Sequence, residues 1–414
     1  MGLVFHRIVI RCTILMVGAQ LMALTTLSAA GLPRSTPEAQ GVNSAGIDRF
    51  LQAIEKSSVK LHSFMLVRHG QVVAECWWWP HVAQRLHPVY SLTKNFTAAA
   101  VGLAVAEKKL TLDDKVAFWL SDRLPAEVSP NLAAMRVRDL LTMTAGHAKD
   151  PLSSLAQSIR AGDAVRAVLA RPVPYAPGTH FAYSNGAALL LSAVLQKATG
   201  QTMHEFLEPR LFAPLDITGE EWELYPEGLN PGGTGLQLKT EDIAKLGQLY
   251  LQKGNWKGIQ LLPESWVKAA TTTQVLNSHY GSNPDLMHGY GYMFWLAGHG
   301  AYRGYGSLDQ NCLVVPDQDV VLVTTGENHD SPALFRMIWD MLRSAFQEMP
   351  LLPNAQADAQ LQDRIRRAHS EESFPGGQSR PEMLPTQDQR DAQNEPRASE
   401  NRCGPPSARV VQRL

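Results

Sequence analysis

Residues 90–106 read YSLTKNFTAAAVGLAVA, a short polar start followed by an almost wholly apolar run. No charged residue follows Lys94 until Glu107, so the run predicts a helix that lies inside a large domain. Ser91 and Lys94 stand three residues apart, and a helix returns to the same face at that spacing. The segment therefore predicts a serine hydroxyl and a lysine amine side by side at the buried start of a helix.

A serine hydroxyl is a weak nucleophile unless a base lies within hydrogen-bond reach. Burial disfavours the charged form of a lysine, and the neutral amine is the form that accepts a proton. The S-x-x-K spacing occurs three times, at Ser57/Lys60, Ser91/Lys94 and Ser265/Lys268. Only the middle pair opens a long apolar helix. Ser91 is thus the candidate nucleophile and Lys94 its candidate base.

The charge of the whole chain limits its partners. Its 414 residues carry a formal net charge of −1 and a pI of about 6.9, which gives no field to attract nucleic acid or an anionic membrane. The histidines lack a ligand spacing such as HExxH, and there is no CxxC pair. We expect a small-molecule substrate, no nucleic acid, no metal and no cofactor. The sequence leaves the oligomeric state open.

The first 30 residues differ from the rest. Basic residues precede an apolar run, and small residues at 28–30 offer a cleavage site, which together predict a secretory signal peptide over 1–30. The alternative is an uncleaved anchor, although the run is shorter than the roughly 20 residues of a spanning helix. We expect an exported protein, periplasmic or secreted, with no stable membrane insertion after cleavage.

Two pairs of strand-like runs stand far apart in the chain. Residues 63–68 and 71–77 flank His69-Gly70, and residues 311–315 and 320–325 flank a second turn, so each pair predicts an antiparallel hairpin. Mostly helical sequence separates the two hairpins. This order predicts an α/β fold of the α+β type, with one antiparallel sheet built from both chain ends and flanked by helices.

The same pattern suggests the domain limits. We place the α/β part at about 40–115 and 225–348, and an inserted all-α domain at about 116–224. Residues 351–414 are polar and hold few large apolar side chains, so we predict a disordered tail. Cys76 and Cys312 lie in predicted strands, either as two buried thiols or, if their strands are neighbours, as a disulfide.

A second polar cluster comes before another apolar helix. Tyr183 and Asn185 are two residues apart in a non-helical stretch, so both side chains can point the same way. A tyrosine near a lysine could relay protons, and an asparagine could bridge serine, lysine and substrate. The alternative is an ordinary helix start that Ser184 or Asn185 caps.

A third cluster comes just before a predicted strand. Gly304 and Gly306 flank Tyr305, and glycines allow backbone to approach a ligand closely. The amide of Ser307 or a neighbour could then bind a developing oxyanion together with the amide of Ser91. The alternative is a β-bulge without a ligand.

The three clusters together, in this order, resemble the serine β-lactamase and penicillin-binding-protein superfamily. The Y-x-N form is similar to class C β-lactamases and their esterase relatives, and the likeness extends over residues 36–348. It implies an α/β sandwich with an inserted all-α domain and an active site between them. It also implies that Ser91 is acylated, that Lys94 is its base, that Tyr183 relays protons and that Asn185 orients the substrate.

The third cluster departs from the superfamily. Where β-lactamases carry Lys-Thr-Gly, this chain has Gly304-Tyr305-Gly306, without a cation to bind a substrate carboxylate. Arg303 precedes the triplet, but strand alternation would turn it to the opposite face.

We therefore predict hydrolysis of an ester or amide. The alternatives are a β-lactamase or D,D-carboxypeptidase, and, from another class, a non-catalytic binding or sensor protein. The base for deacylation is open between Tyr183 and Lys94.

Overall fold

A computed structural model describes residues 31–278, 284–328 and 331–370. The predicted signal peptide and residues 371–414 lie outside the described residues. The strands are β1 Leu61–Arg68, β2 Gln71–Trp77, β3 His87–Pro88, β4 Glu221–Trp222, β5 Leu236–Leu238, β6 Asn255–Trp256, β7 Ile259–Gln260, β8 Trp295–Leu296, β9 Tyr302–Gly306, β10 Gln310–Val315 and β11 Val320–Gly326.

The α-helices are α1 Ser44–Glu55, α2 Thr93–Ala106, α3 Val116–Trp119, α4 Pro130–Ala134, α5 Val137–Leu141, α6 Ala156–Arg160, α7 Ala164–Leu169, α8 Asn185–Thr199, α9 Met203–Leu207, α10 Thr240–Leu251, α11 Glu264–Ala270, α12 Ser331–Met337 and α13 Ala355–Ala368. Two π-helical turns follow α9 and α12, at Glu208–Phe212 and Ile338–Leu342. A 3₁₀ turn, Tyr90–Leu92, leads into α2.

The central sheet confirms the predicted fold class. It has six strands in the order β2-β1-β11-β10-β9-β8, and its paired neighbours are antiparallel. The first strand pairs with the last, from Leu61 opposite Gly326 to Arg68 opposite Val320, so both chain ends build one sheet. Both predicted hairpins are present, within a residue or two of their expected limits.

Helices cover both faces of this sheet. Strands β10 and β11 are buried throughout, which explains why their sequences read as nearly continuous apolar runs. Helix α10 packs on one face, where a side chain at Gly247 would collide with Val321 and Cys312. Helices α1 and α12 form the cluster on the other face. Cys76 and Cys312 are free, buried thiols on strands that are not neighbours.

The segment between β3 and β4 is helical, from α2 to α9, as its sequence indicates. Helix α8 is buried along ten of its positions and contacts α2, α3, α5 and α7. The limits of the inserted domain stay a prediction. Within the described ranges, no helix is both long and apolar enough to span a membrane.

The predicted disorder from residue 351 is wrong for the part that the structure describes. Helix α13 packs on α1 and β2, and its Leu361 is fully buried. Arg364 on this helix pairs with Asp48 and Glu55 of α1. A segment with few apolar residues is ordered here because those residues share one helix face and ion pairs support it.

Candidate active site

Ser91 lies in the 3₁₀ turn at the start of α2. The chain enters this turn with Tyr90 at φ 46°, a left-handed conformation that is uncommon for a non-glycine residue. Just before it, the Val89 amide donates to the Leu236 carbonyl of β5 at 3.0 Å. The turn is thus anchored at its start by strand pairing and at its end by the buried α2. This placement presents Ser91, which is half-buried, toward the interior of the site.

The Lys94 side chain is 1% exposed, and its amine contacts three oxygens. Nζ lies 3.1 Å from Ser91 Oγ, 2.7 Å from Asn185 Oδ1 and 2.8 Å from the Gly233 carbonyl. Burial lowers the pKa of Lys94 to about 7, against the opposing charge of Asp150. A large fraction of the lysine is therefore neutral near pH 7.

The neutral amine fits this geometry in a specific way. It has two N–H groups and one lone pair, and Asn185 and Gly233 offer only acceptors. When those two oxygens take the two N–H groups, the lone pair is left for the Ser91 hydroxyl. The arrangement can remove the proton from Ser91, which is the chemistry that a serine nucleophile needs.

Asn185 and Tyr183 contact Lys94 from the start of α8 and the residues just before it. Asn185 is the first residue of that helix, and Ser184 is its N-cap, accepting from the Ala187 amide at 2.9 Å. Ser184 is thus the helix cap, while Asn185 Oδ1 contacts the Lys94 amine; the catalytic role of this cluster stays a prediction. The Tyr183 ring centroid lies 4.8 Å from Lys94 Nζ, and the ring stacks on Trp295 at 5.2 Å between centroids.

The glycine triplet lies on β9, and its two glycines pack closely against other parts of the protein. A side chain at Gly304 would overlap Asn95 Oδ1 of α2, and one at Gly306 would overlap the Val89 carbonyl. The predicted close approach is therefore between β9 and the turn that carries Ser91. Ser307 follows at the end of the strand and is exposed; its part in an oxyanion hole stays a prediction.

Arg303 faces away from the helix that carries Lys94. Its guanidinium carbon lies 3.8 Å from the Phe335 ring centroid and 5.1 Å from that of Tyr305, and the residue is fully buried. This is the opposite face of β9, as strand alternation predicts. Tyr305, which stands where the family has threonine, is half-buried on that same face.

Three further residues belong to this site and were not predicted from the sequence. Gly233 offers its carbonyl to Lys94. Asp150 Oδ1 accepts from the Ser184 hydroxyl at 3.2 Å and from the Gly186 amide at 3.0 Å, so it holds the start of α8. Trp295 packs on Tyr183. For two of them the sequence held a signal, because Gly233 lies in residues 232–254 and Trp295 in residues 290–295, two segments that resemble connecting segments of the superfamily. Asp150 gave no such signal.

The fold and the site define a hydrolase of the serine β-lactamase and penicillin-binding-protein type. The chain belongs to the Beta-lactamase family, whose model matches residues 51–333. This match includes Ser91, Lys94, Tyr183 and Asn185. It confirms the resemblance drawn from the three sequence clusters.

Comparisons with individual proteins are more distant. A protein of Escherichia coli O157:H7 named "Putative D-alanyl-D-alanine carboxypeptidase" is 22% identical over 330 residues, which are 62% of this chain and 76% of that protein. A structure described as "Putative 6-aminohexanoate-dimer hydrolase from Bacillus anthracis" matches with a TM-score of 0.61 at 18% identity, over 76% of this chain and 86% of that one.

A third comparison is with "EstCE1, a hydrolase with promiscuous acyltransferase activity". Its TM-score is 0.58 at 17% identity, and the match covers 72% of this chain and 99% of that one. Identities this low show a shared fold alone. The substrate of this chain has to be inferred from its own residues.

Proposed function

We propose that this protein hydrolyses an ester or amide bond through an acyl-enzyme formed on Ser91. The observation that carries the proposal is the buried Lys94 amine, 3.1 Å from Ser91 Oγ, with its remaining partners all acceptors. A surface lysine would be charged and could not act as a base at neutral pH. Burial of a lysine beside a serine costs stability, and a base for that serine is its most direct use.

The reaction has two steps. Ser91 Oγ attacks the substrate carbonyl while its proton passes to Lys94, and the leaving alcohol or amine departs with a proton. Water then attacks the acyl ester, the bond to Ser91 Oγ breaks, and the acid is released with the serine hydroxyl restored. Tyr183 is a candidate for the proton transfers because its ring borders the Lys94 amine, and either residue could activate the water.

The choice of substrate rests on the β9 triplet. Gly304-Tyr305-Gly306 supplies no cation, and Arg303 is directed at Phe335 on the opposite face. A substrate carboxylate would therefore lack its usual partner, which favours a neutral ester or amide. Two of the compared structures are named as hydrolases, one of a 6-aminohexanoate dimer and one with promiscuous acyltransferase activity.

A second candidate is a D,D-carboxypeptidase or β-lactamase, favoured by the name of the E. coli relative. A third candidate is a sensor protein that becomes acylated on Ser91 but does not release the acyl group. Hydrolysis rates on four substrates distinguish these candidates. The substrates are a short-chain p-nitrophenyl ester, a p-nitroanilide, a chromogenic cephalosporin and a peptide that ends in D-Ala-D-Ala.

The experiment compares the wild type with Ser91→Ala and with Ser265→Ala as the matched control. Ser265 begins another S-x-x-K sequence but is exposed on α11. We expect turnover of the ester or anilide by the wild type and the control, and a loss of at least about a thousandfold in Ser91→Ala. Faster turnover of the cephalosporin or the peptide would instead support the second candidate, and acylation without turnover would support the sensor.

Export also belongs to the proposal. The basic, apolar and small-residue order of residues 1–30 supports a cleaved signal peptide. N-terminal sequencing of the protein from a secreting host should begin near residue 31. A mature protein that retains residues 1–30 would contradict it.

A further inference from the structure

Three histidines outside the active site meet at one point of the fold. His62 lies on β1, His81 follows β2, and His87 opens β3. One ring nitrogen from each lies within 4.8 Å of the other two. Their spacing in the sequence matches no ligand motif, which is why the sequence predicted no metal site. The sheet and the return of the chain to β3 bring them together.

Backbone hydrogen bonds hold the three segments that carry these histidines. The Trp78 amide donates to the His62 carbonyl at 3.0 Å, and the His81 amide donates to the Trp78 carbonyl at 2.9 Å. His87 is held by pairing of β3 with β5. The backbone positions of the three histidines are therefore defined, and rotation of the His62 and His81 side chains out of their stack would direct one nitrogen of each ring at a single ion.

The rings contact one another closely. His62 Nδ1 lies 2.7 Å from His87 Nε2, and the rings of His62 and His81 stack with 3.8 Å between centroids. His87 Nδ1 lies 3.2 Å from the Pro88 carbonyl and donates to it, so the Nε2 lone pair faces His62 Nδ1. A bound ion would lie between these two nitrogens in place of the proton that they share, with the His62 ring protonated on Nε2 instead. A histidine whose second nitrogen donates to a backbone carbonyl is typical of metal ligands.

The charges around the cluster are compatible with a cation. Arg85 opposes a cation, but its side chain is exposed and its charge is screened by solvent. His62 and His81 are only partly buried, which leaves a path for an ion.

We propose that His62, His81 and His87 bind one divalent transition-metal ion, with zinc the best match. Three imidazoles are the protein ligands of an open zinc site, at about 2.0–2.1 Å from the ion, and harder ions such as magnesium prefer oxygen. The ion would join β1, the segment after β2, and β3. Because β3 begins four residues before Ser91, we infer a structural role in which the ion holds the segment that leads to the nucleophile.

The test uses the full chain without a histidine tag, stripped of metal and titrated with zinc chloride alone in a calorimeter. We expect one ion per chain. His81→Gln and His87→Gln should each weaken binding by more than the roughly 10- to 100-fold seen for groups outside the coordination shell. His69→Gln is the matched control, because His69 is exposed on the adjacent β1–β2 turn and points to Gln40; its affinity should not change.

Cobalt gives a second readout. A site with three imidazoles and water should give the intense visible absorption of a tetrahedral ion, and His81→Gln should abolish it while circular dichroism shows an unchanged fold. His81 lies outside the strands, so its substitution should not unfold the chain. The proposal is overturned if zinc does not bind stoichiometrically, if both variants bind normally, or if binding is lost instead with His204→Gln in the separate His204, Glu208 and Glu220 cluster.

Discussion

The protonation of Lys94 depends on two opposing influences from identified neighbours. Burial among α2, α8 and the Gly233 loop removes water and lowers the pKa to about 7, while the charge of Asp150 raises it. A protonated Lys94 cannot accept the Ser91 proton. The activity of the enzyme should therefore follow the deprotonation of this one residue.

We expect kcat/KM for a neutral ester to rise with pH through about 7, with close to a tenfold gain per unit on the acid side. The direction follows because the neutral amine is the active form and becomes more abundant as pH increases. Initial rates between pH 5 and 9 measure this profile. A flat profile, or one that falls across this range, would contradict the role of Lys94 as base.

Asp150→Asn tests the second influence. The amide oxygen can still accept from the Gly186 amide, so the start of α8 should keep its position. Loss of the negative charge should lower the pKa of Lys94 further, and the rising limb of the kcat/KM profile should move to lower pH. A limb that moves to higher pH would show that Asp150 does not act on Lys94 through its charge.

At the scale of elements, the active site depends on how closely β9 packs against α2. Gly304 allows this contact because it has no side chain to meet Asn95 and Leu92. Asn95 in turn donates to the Met293 carbonyl at 3.0 Å, which links α2 to the segment before β8. A shift of β9 would move Ser307 and the turn that carries Ser91 together.

Gly304→Ala should therefore destabilise the protein by about 1–3 kcal/mol and lower kcat. Gly298→Ala is the control, because the added carbon there would meet only His288 Nε2 at 4.0 Å and the backbone is not left-handed. Urea unfolding and ester kinetics on both variants measure the difference. Equal effects at the two positions would show that the β9–α2 contact is not the cause.

The elements that sequence predicts well are those with a clear period. The two hairpins and the apolar helix after Ser91 are such cases, and the spacing of Ser91 and Lys94 within one turn places them correctly. The sequence did not predict Gly233 and Asp150 as site residues, because only the tertiary fold brings them to Lys94 and to the start of α8. The contact of Gly304 with Asn95 could not be predicted for the same reason, because the two residues are more than two hundred positions apart in sequence.

At the scale of the whole molecule, the folded domain includes α13 in addition to the central sheet and the helices that cover its faces. Helix α13 contacts α1 and β2, and Leu361 is fully buried there. Composition alone predicted disorder because it ignores where the few apolar residues lie. Arg364 of α13 pairs with Asp48 of α1, so the last described helix packs against the first.

Removal of residues after 350 should consequently destabilise the protein, whereas a chain that ends at residue 370 keeps α13 and is the control. The loss of buried Leu361 alone should cost about 2–5 kcal/mol, as for Leu361→Ala. Thermal unfolding of the two truncated chains and of Leu361→Ala measures this. Equal stability of both truncated chains would contradict a structural role for α13.

The central claim is that Ser91 is acylated during hydrolysis. The most direct measurement is the intact mass of the full chain, quenched in acid during turnover of a p-nitrophenyl ester, followed by peptide mapping. We predict a mass increase of one acyl group, located on the peptide that contains Ser91 and absent in Ser91→Ala. An acyl group on another residue, or rapid turnover by Ser91→Ala, would contradict the account.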